Sequence, residues 1–291
     1  MLIHPDKSRG QNFLKDKNIL AKIIDAGELK SSDTVLEIGA GTGVLTAELA
    51  KQVKKVVSFE IDKKLIPVLQ ENLKDFDNVE IFNESILECH PRESGDLGKS
   101  GSLWIPACAG MTDAMLTKYK LIANIPYNIT SAILEKFLSV ERPPELIVLL
   151  VQKEVAERVC ANPGEMSILS VMAQYYGEPK IIACVPPSAF WPVPKVDSAI
   201  LKIVINRHPE LVSGSHEMLK QVQHDAERFF SIVKAGFSQR RKMLKNNLRA
   251  LGDEKIIAAA MRKAGIGEKA RAQELTVEQW VDLAKKFDTH L

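Results

Sequence analysis

Short apolar runs alternate with helical spacings along the first two thirds of the chain. Residues 33–38 (DTVLEI) are a β-type run that ends on glycines. In residues 44–53, Leu45, Leu49 and Val53 recur at helical spacing. Residues 56–59 read as a second strand and residues 65–73 as a second helix, with Pro67 near its start. Residues 79–82, 121–123 and 146–151 are further strands. This alternation predicts a mostly parallel sheet covered on both faces, an α/β fold. Residues 187–205 (PSAFWPVPKVDSAILKIVI) start as a proline-held extended loop and end in an apolar run at 199–205, a late edge-side strand. From Glu227 onward the spacing is helical throughout, and Thr276 is placed to cap the last helix.

Two segments break the order. Residues 90–112 are rich in Gly, Ser and Pro and show neither period, between two strands that a few residues could join. Residues 208–225 separate the last strand from the helical region. Both begin His-Pro and contain a Ser-Gly step, and both resemble peptides encoded by mobile palindromic repeats inserted in frame. The expected organisation is therefore an α/β domain over 1–207 with an insertion at 90–112, an inserted linker over 208–225, and a helical domain over 226–291. His208, His216 and His224 read as exposed and unliganded.

Composition narrows the picture modestly. The 291-residue chain is 45% apolar, enough for one large core and a smaller one. It has no apolar run of roughly 18 residues, so a membrane span is not expected. The first residues carry no apolar signal core, which points to the cytoplasm. Cys89, Cys108, Cys160 and Cys184 are scattered without a C-x-x-C, against a disulfide framework or a metal site. The net charge of +2 says little, but residues 226–291 hold 14 Lys/Arg against 8 Asp/Glu. A basic second domain suits a polyanionic partner, or is an ordinary solvated helical surface.

Candidate chemistry sits at strand ends. EIGAGTG (37–43) has glycines at Gly39, Gly41 and Gly43, which let backbone N–H groups approach a ligand. A dinucleotide loop would need its third glycine at position 44, which is Val44. The loop therefore favours the amino-acid end of S-adenosylmethionine over a pyrophosphate, with a plain turn as the alternative. Glu60, ending the second strand, can accept both ribose hydroxyls. Glu37 stands behind it, near the cofactor's amino group. In ANIPYN (123–128), Asn124, the Ile125 carbonyl presented by Pro126, and Tyr127 gather an amide, a carbonyl and an aromatic ring at one strand end. These accept hydrogen bonds from an exocyclic amine and stack on a base. Arg240, Arg241 and Lys242 are read as opening a helix, with Lys245 and Arg249 at helical spacings, a phosphate-contacting face. Lys7, Arg9 and Lys15 add positive charge near the N-terminus.

The motifs GQNFL (10–14), LEIGAGTGVLT (36–46), FEIDKKL (59–65), ANIPYNITS (123–131), FWPVPKVDSA (190–199) and FSQRRKMLKNNL (237–248) run in order along nearly the whole chain. In them the chain resembles the small-subunit (16S) ribosomal RNA adenine N6-dimethyltransferase family. The resemblance implies a Rossmann-like S-adenosylmethionine-dependent methyltransferase domain followed by a small helical domain that contacts RNA. It implies dimethylation of two adjacent adenosines near the 3′ end of 16S rRNA in immature small subunits, by a monomer and without a metal. The cofactor positions fall on Asn12, Leu14, Gly39, Glu60 and Asn124, and Phe190 would close the second face of the adenine. One further position, an aspartate in the family, falls on Ser85, a neutral and shorter acceptor. A 23S rRNA adenine methylase, or a non-catalytic rRNA-binding assembly factor, are the alternative functions.

Overall fold

A computed structural model of the chain describes residue 5 and residues 10–88, 118–140, 143–206 and 216–287, with residues 216–225 described through their backbone. The inserted segment expected at 90–112 lies outside these residues, as do Lys7, Arg9, Cys89, Cys108 and His208. The chain divides into two compact units, Met1–Ala156 with Lys180–Ile205, and Glu157–Pro179 with Asn206–Leu291.

The first unit is built on β2 (Thr34–Ile38), β3 (Lys55–Phe59), β4 (Val79–Phe82), β5 (Lys120–Asn124), β6 (Leu146–Gln152), β7 (Gly177–Val185) and β9 (Ser198–Ile205). Their order is β4-β3-β2-β5-β6-β9-β7. The pairs among β4, β3, β2, β5 and β6 are parallel, and β9 runs antiparallel to β6. Val35, Leu36, Val56, Val57, Leu121 and Ile122 are fully buried, as expected of parallel strands covered on both faces. A separate two-residue ribbon pairs β1 (Phe13–Leu14) with β8 (Phe190–Trp191), Leu14 opposite Phe190. Between β1 and β2, the helix Lys17–Ala26 is capped by the Asp16 carboxylate, which accepts from the N–H groups of Asn18 and Ile19.

Because the strands are parallel, the C-terminal ends of β2, β3, β4 and β5 open on one edge. The order reverses between β2 and β5, the switch point where such sheets hold ligands. The start of β5 is pinned by a buried cation. Lys120 Nζ pairs with Asp33 at 2.8 Å and donates to the Gly27 carbonyl at 3.0 Å, which satisfies a charge that would be costly to bury alone.

In the second unit, the helix Ile168–Tyr176 lays Tyr175 on Phe229 (ring centroids 4.4 Å apart) and Tyr176 on Phe230 (5.6 Å), both on the helix His216–Gly236. The helices Glu254–Lys263 and Val277–Phe287 complete it, around a fully buried Trp280.

Several expectations change. The helix expected over 44–53 is Val44–Ala50. The late strand β9 is not at the edge, because β7 lies outside it. Residues 157–179 join the helical unit, drawn by the stacking of Tyr175 and Tyr176. The expected linker 208–225 is helical from His216 onward, as the first part of the amphipathic helix His216–Gly236. Arg240, Arg241 and Lys242 do not open a helix. They occupy the turn between Gly236 and the four-residue helix Leu244–Asn247. Among the described residues, no helix is long and apolar enough to cross a membrane, and no group of His, Cys, Asp and Glu could hold a metal ion.

Candidate active site

A cavity opens at the switch point, lined by the loop after β2, the ends of β3 and β5, the turn after β4 and residues 10–14. Gly39 and Gly41 line it with φ of +75° and +60°, a left-handed conformation that favours glycine. The Gly39 N–H donates to the Phe59 carbonyl at 2.7 Å, binding the loop to the end of β3. Gly43 does not line the cavity, which corrects its expected ligand role. With φ +84° it starts the helix Val44–Ala50, and a Cβ there would come within 2.8 Å of Leu69. Its task is a tight turn and close packing.

Glu60 is 5% exposed. Its Oε2 accepts the Gly41 N–H and its Oε1 the Asp62 N–H, both at 2.8 Å. Burial pushes its carboxyl up, against the pull of those two N–H groups. Each oxygen keeps a second lone pair for a ligand hydroxyl. Glu37 is more deeply set. Its Oε2 accepts from Thr46 Oγ1 at 2.6 Å and Ser58 Oγ at 2.9 Å. Desolvation pushes its carboxyl up to about 7, so a nearby ammonium would favour its ionised form.

At the end of β5, the Asn124 amide Nδ2 donates to the Asn12 carbonyl at 3.2 Å. Its Oδ1 accepts from no described residue and belongs to a side chain that lines the cavity. Pairing with β6 stops at Asn124 opposite Leu150, so the Ile125 carbonyl lies past the ladder. Pro126 follows with φ −57° and ψ 135°. Tyr127 also lines the cavity, and its hydroxyl is 2.6 Å from Ser198 Oγ at the start of β9. Burial raises that phenol above its ordinary range, partly offset by the Ser198 bond.

Asn12 and Leu14 line the cavity, and Asn12 Nδ2 donates to the Gly10 carbonyl at 3.1 Å. Ser85 lines it too. The turn holding Ser85 is fastened at both sides. Asn83 Nδ2 donates to the Glu60 carbonyl at 2.7 Å, and Lys136 Nζ donates to the carbonyls of Ile86 and Leu87 at 2.8 and 3.0 Å. Phe190 departs from expectation. It is fully buried beside Leu14 in the core and is not a cavity wall. Adjacent strand residues face opposite ways, so Trp191 is the exposed aromatic there, at 48%.

Sequence reasoning missed Phe13, Ile61 and Lys136. The Phe13 ring is 3.2 Å from where a Gly41 Cβ would stand. Ile61 lines the cavity while 48% exposed. An apolar residue between two acids in FEID was the available signal.

In the second unit, Arg240, Arg241, Lys242 and Arg249 are exposed and Lys245 is half-buried. Arg249 pairs with Glu254 at 3.1 Å. Asn247 is buried and donates to the carbonyls of Gly236 and Gln239, holding the basic turn. Phe237 stacks on Trp280 with centroids 5.6 Å apart, packing this turn within its own unit.

The profile described as ribosomal RNA adenine dimethylase matches residues 5–289. The chain belongs to the ribosomal RNA adenine dimethylase family. Within reach of that family, it is 42% identical over 281 residues to ribosomal RNA small subunit methyltransferase A of Caldanaerobacter subterraneus, covering 96% of this chain and 95% of the relative. It is 40% identical over 283 residues to the protein of that name from Dehalococcoides mccartyi, covering 97% and 88%. A solved dimethyladenosine transferase from Plasmodium falciparum superposes with a TM-score of 0.72 at 25% identity, covering 95% of this chain and 98% of that one. The 23S rRNA methyltransferase ErmE superposes with a TM-score of 0.68 at 30% identity, covering 95% and 100%.

Proposed function

We infer that this dimethylase uses S-adenosylmethionine to methylate N6 of two adjacent adenosines near the 3′ end of 16S rRNA, twice each, in immature small subunits. The observation that carries the reading is the Asn124 amide, anchored on Asn12 with its oxygen left for a ligand. It stands in one cavity with Glu60 and the glycine loop. The residues fit the cofactor. Gly39 and Gly41 leave room for a close backbone approach, Glu60 accepts ribose hydroxyls, and Glu37 faces the amino-acid end. Asn12, Leu14, Ile61 and Ser85 wall the remaining sides. When bound, S-adenosylmethionine supplies an electrophilic methyl group.

The adenine amine is a weak nucleophile because its lone pair is conjugated with the ring. In the first transfer Asn124 Oδ1 and the Ile125 carbonyl accept hydrogen bonds from its two N–H groups, and in the second one of them accepts from the single N–H that remains. This favours a more tetrahedral nitrogen with its lone pair directed at the methyl carbon. Pro126 holds that carbonyl in place, and Tyr127, tethered to Ser198, offers its ring for stacking. No covalent nucleophile is needed. Primer extension across the 3′ end of 16S rRNA, after incubation with immature subunits, tests the reading. Stops at two adjacent adenosines are expected. Stops confined to 23S rRNA would support the 23S alternative, which the small-subunit relatives disfavour. A failure to bind cofactor in calorimetry would leave an assembly factor. We take the protein to act as a cytoplasmic monomer.

Two further results are expected. Ser85→Asp should tighten cofactor binding. A charge-assisted bond to the adenine amine exceeds a neutral one by about 1 kcal/mol, roughly fivefold in affinity. Calorimetry showing equal or weaker binding would mean that Ser85 does not face the adenine. Changing Arg240, Arg241 and Lys242 together to Glu should weaken subunit binding and leave cofactor affinity unchanged. Losing three phosphate contacts should flatten the slope of log affinity against log salt by about 2–3. An unchanged slope would remove this turn from the RNA-facing surface.

A further inference from the structure

The segment between Phe190 and Ser198 is held at both ends. Trp191 pairs with Phe13 across the β1–β8 ribbon, and Ser198 bonds the Tyr127 hydroxyl. The residues between include Pro192 and Pro194, which restrict the backbone. Yet Trp191 is 48% exposed, Val193 62% and Val196 44%. An indole and two valines on a braced segment are not explained by the core. The Trp191 ring stacks on Phe13 with centroids 6.3 Å apart, inclined by 23°, and Phe13 lines the cavity. The indole is thus a rigid aromatic surface beside the cavity wall.

The charges around it indicate what would cover it. Lys15 follows β1, and its N–H donates to the Ala189 carbonyl at 2.9 Å, next to β8. Lys195 lies within the segment itself, and Lys17 begins the next helix. All three are exposed, and Lys15 and Lys195 form no ion pair among the described residues. Asp16, whose carboxylate caps the helix, and Asp197 are the opposing charges in these two segments, against the three lysines. An aromatic face between lysines suits an unpaired nucleotide, whose base stacks while its phosphates meet the ammonium groups. A purely apolar protein partner would not call for the lysines.

We propose that Trp191 is a positioning residue for the substrate RNA, stacking on a base that flanks the adenosine in the cavity. This rests on the proposed rRNA activity and deepens it. The flanking base is held on a surface braced against the cofactor cavity through Phe13, so recognition of sequence context and placement of the target share one support.

The test compares wild type, Trp191→Ala and Trp191→Phe in steady-state methylation of immature subunits. Trp191→Ala should raise KM for subunits about 10-fold, in the range expected of one stacked base. Cofactor affinity and Tm should stay at wild-type values, and Trp191→Phe should recover most of the loss. In a Trp104→Phe background the remaining indoles are Trp191 and the fully buried Trp280. A short oligoribonucleotide with two adjacent adenosines should then quench the exposed indole, and Trp191→Phe should abolish the quench. A KM within twofold of wild type, or equal losses in KM, cofactor affinity and Tm, overturns the proposal. If Trp191→Ala does not fold, the quench decides alone. Wild type that methylates normally without any Trp191 effect refutes only this inference. Wild type that neither binds nor methylates subunits refutes the rRNA activity and this inference with it.

Discussion

Asn124→Ala is expected to slow single-turnover methyl transfer on the order of 100-fold, with the fold intact. The side chain holds one bond to the main chain, to the Asn12 carbonyl, and is only half-buried, so its loss leaves no large void. What it removes is an acceptor whose oxygen has no other partner among the described residues. An acceptor that gains strength as the amine nitrogen becomes tetrahedral contributes mainly to the transition state, and losing it should cost about 3 kcal/mol. Its effect should therefore fall on kcat rather than on subunit affinity. Rates within threefold of wild type, at saturating RNA and cofactor, would remove Asn124 from the chemistry.

Glu60→Gln is expected to weaken cofactor binding about 30-fold, measured by calorimetry. The carboxylate now receives two N–H groups, Gly41 on one oxygen and Asp62 on the other. A glutamine has one oxygen, so its NH2 must face one of those N–H groups, and the glycine loop or the turn after β3 must give way. The variant also loses the charge that strengthens bonds to ribose hydroxyls, worth about 2 kcal/mol. Because burial already works against the ionised form, the neutral side chain is relieved of that desolvation, and thermal stability should change little beside the loss of affinity. A Kd within threefold of wild type would show that the carboxylate serves the loop alone.

The central strands were legible because each is a short apolar run that ends at a punctuating residue. The glycine loop, Glu60 and Asn124 were legible because they lie at the ends of those runs. What escaped was set by pairing between distant residues. β1 and β8 are two residues long, too short for any period, and exist only because they meet. That pairing turns Phe190 inward and Trp191 outward, an orientation that FWPVP does not reveal. β7 was hidden by Gly177 and Pro179 within its first three residues, and by an apolar run, IIACV, that covers exposed and buried positions alike and so shows no alternation in the sequence. Gly43 looked like its two neighbours in EIGAGTG, and only the nearness of Leu69 separates it from them. The run RRK sat next to helical spacings but is a turn, because Asn247 draws the chain back on itself.

The β1–β8 ribbon also sets an order in time. One wall of the cavity consists of residues 10–14, near the start of the chain, while the strand that holds them comes after the whole parallel sheet has been made. Such a distant pairing is among the slower contacts to form. During synthesis the glycine loop and β2 to β5 can assemble, and Gln11 and Asn12 can meet Asp62 and Asn124, while β1 still waits for its strand partner. A nascent chain stopped before Phe190 would then have the switch point but an unbraced cavity wall, and would hold cofactor more weakly. Full affinity would appear only once residues 190–191 leave the exit tunnel, after the glycine loop and β2 to β5 have already been made.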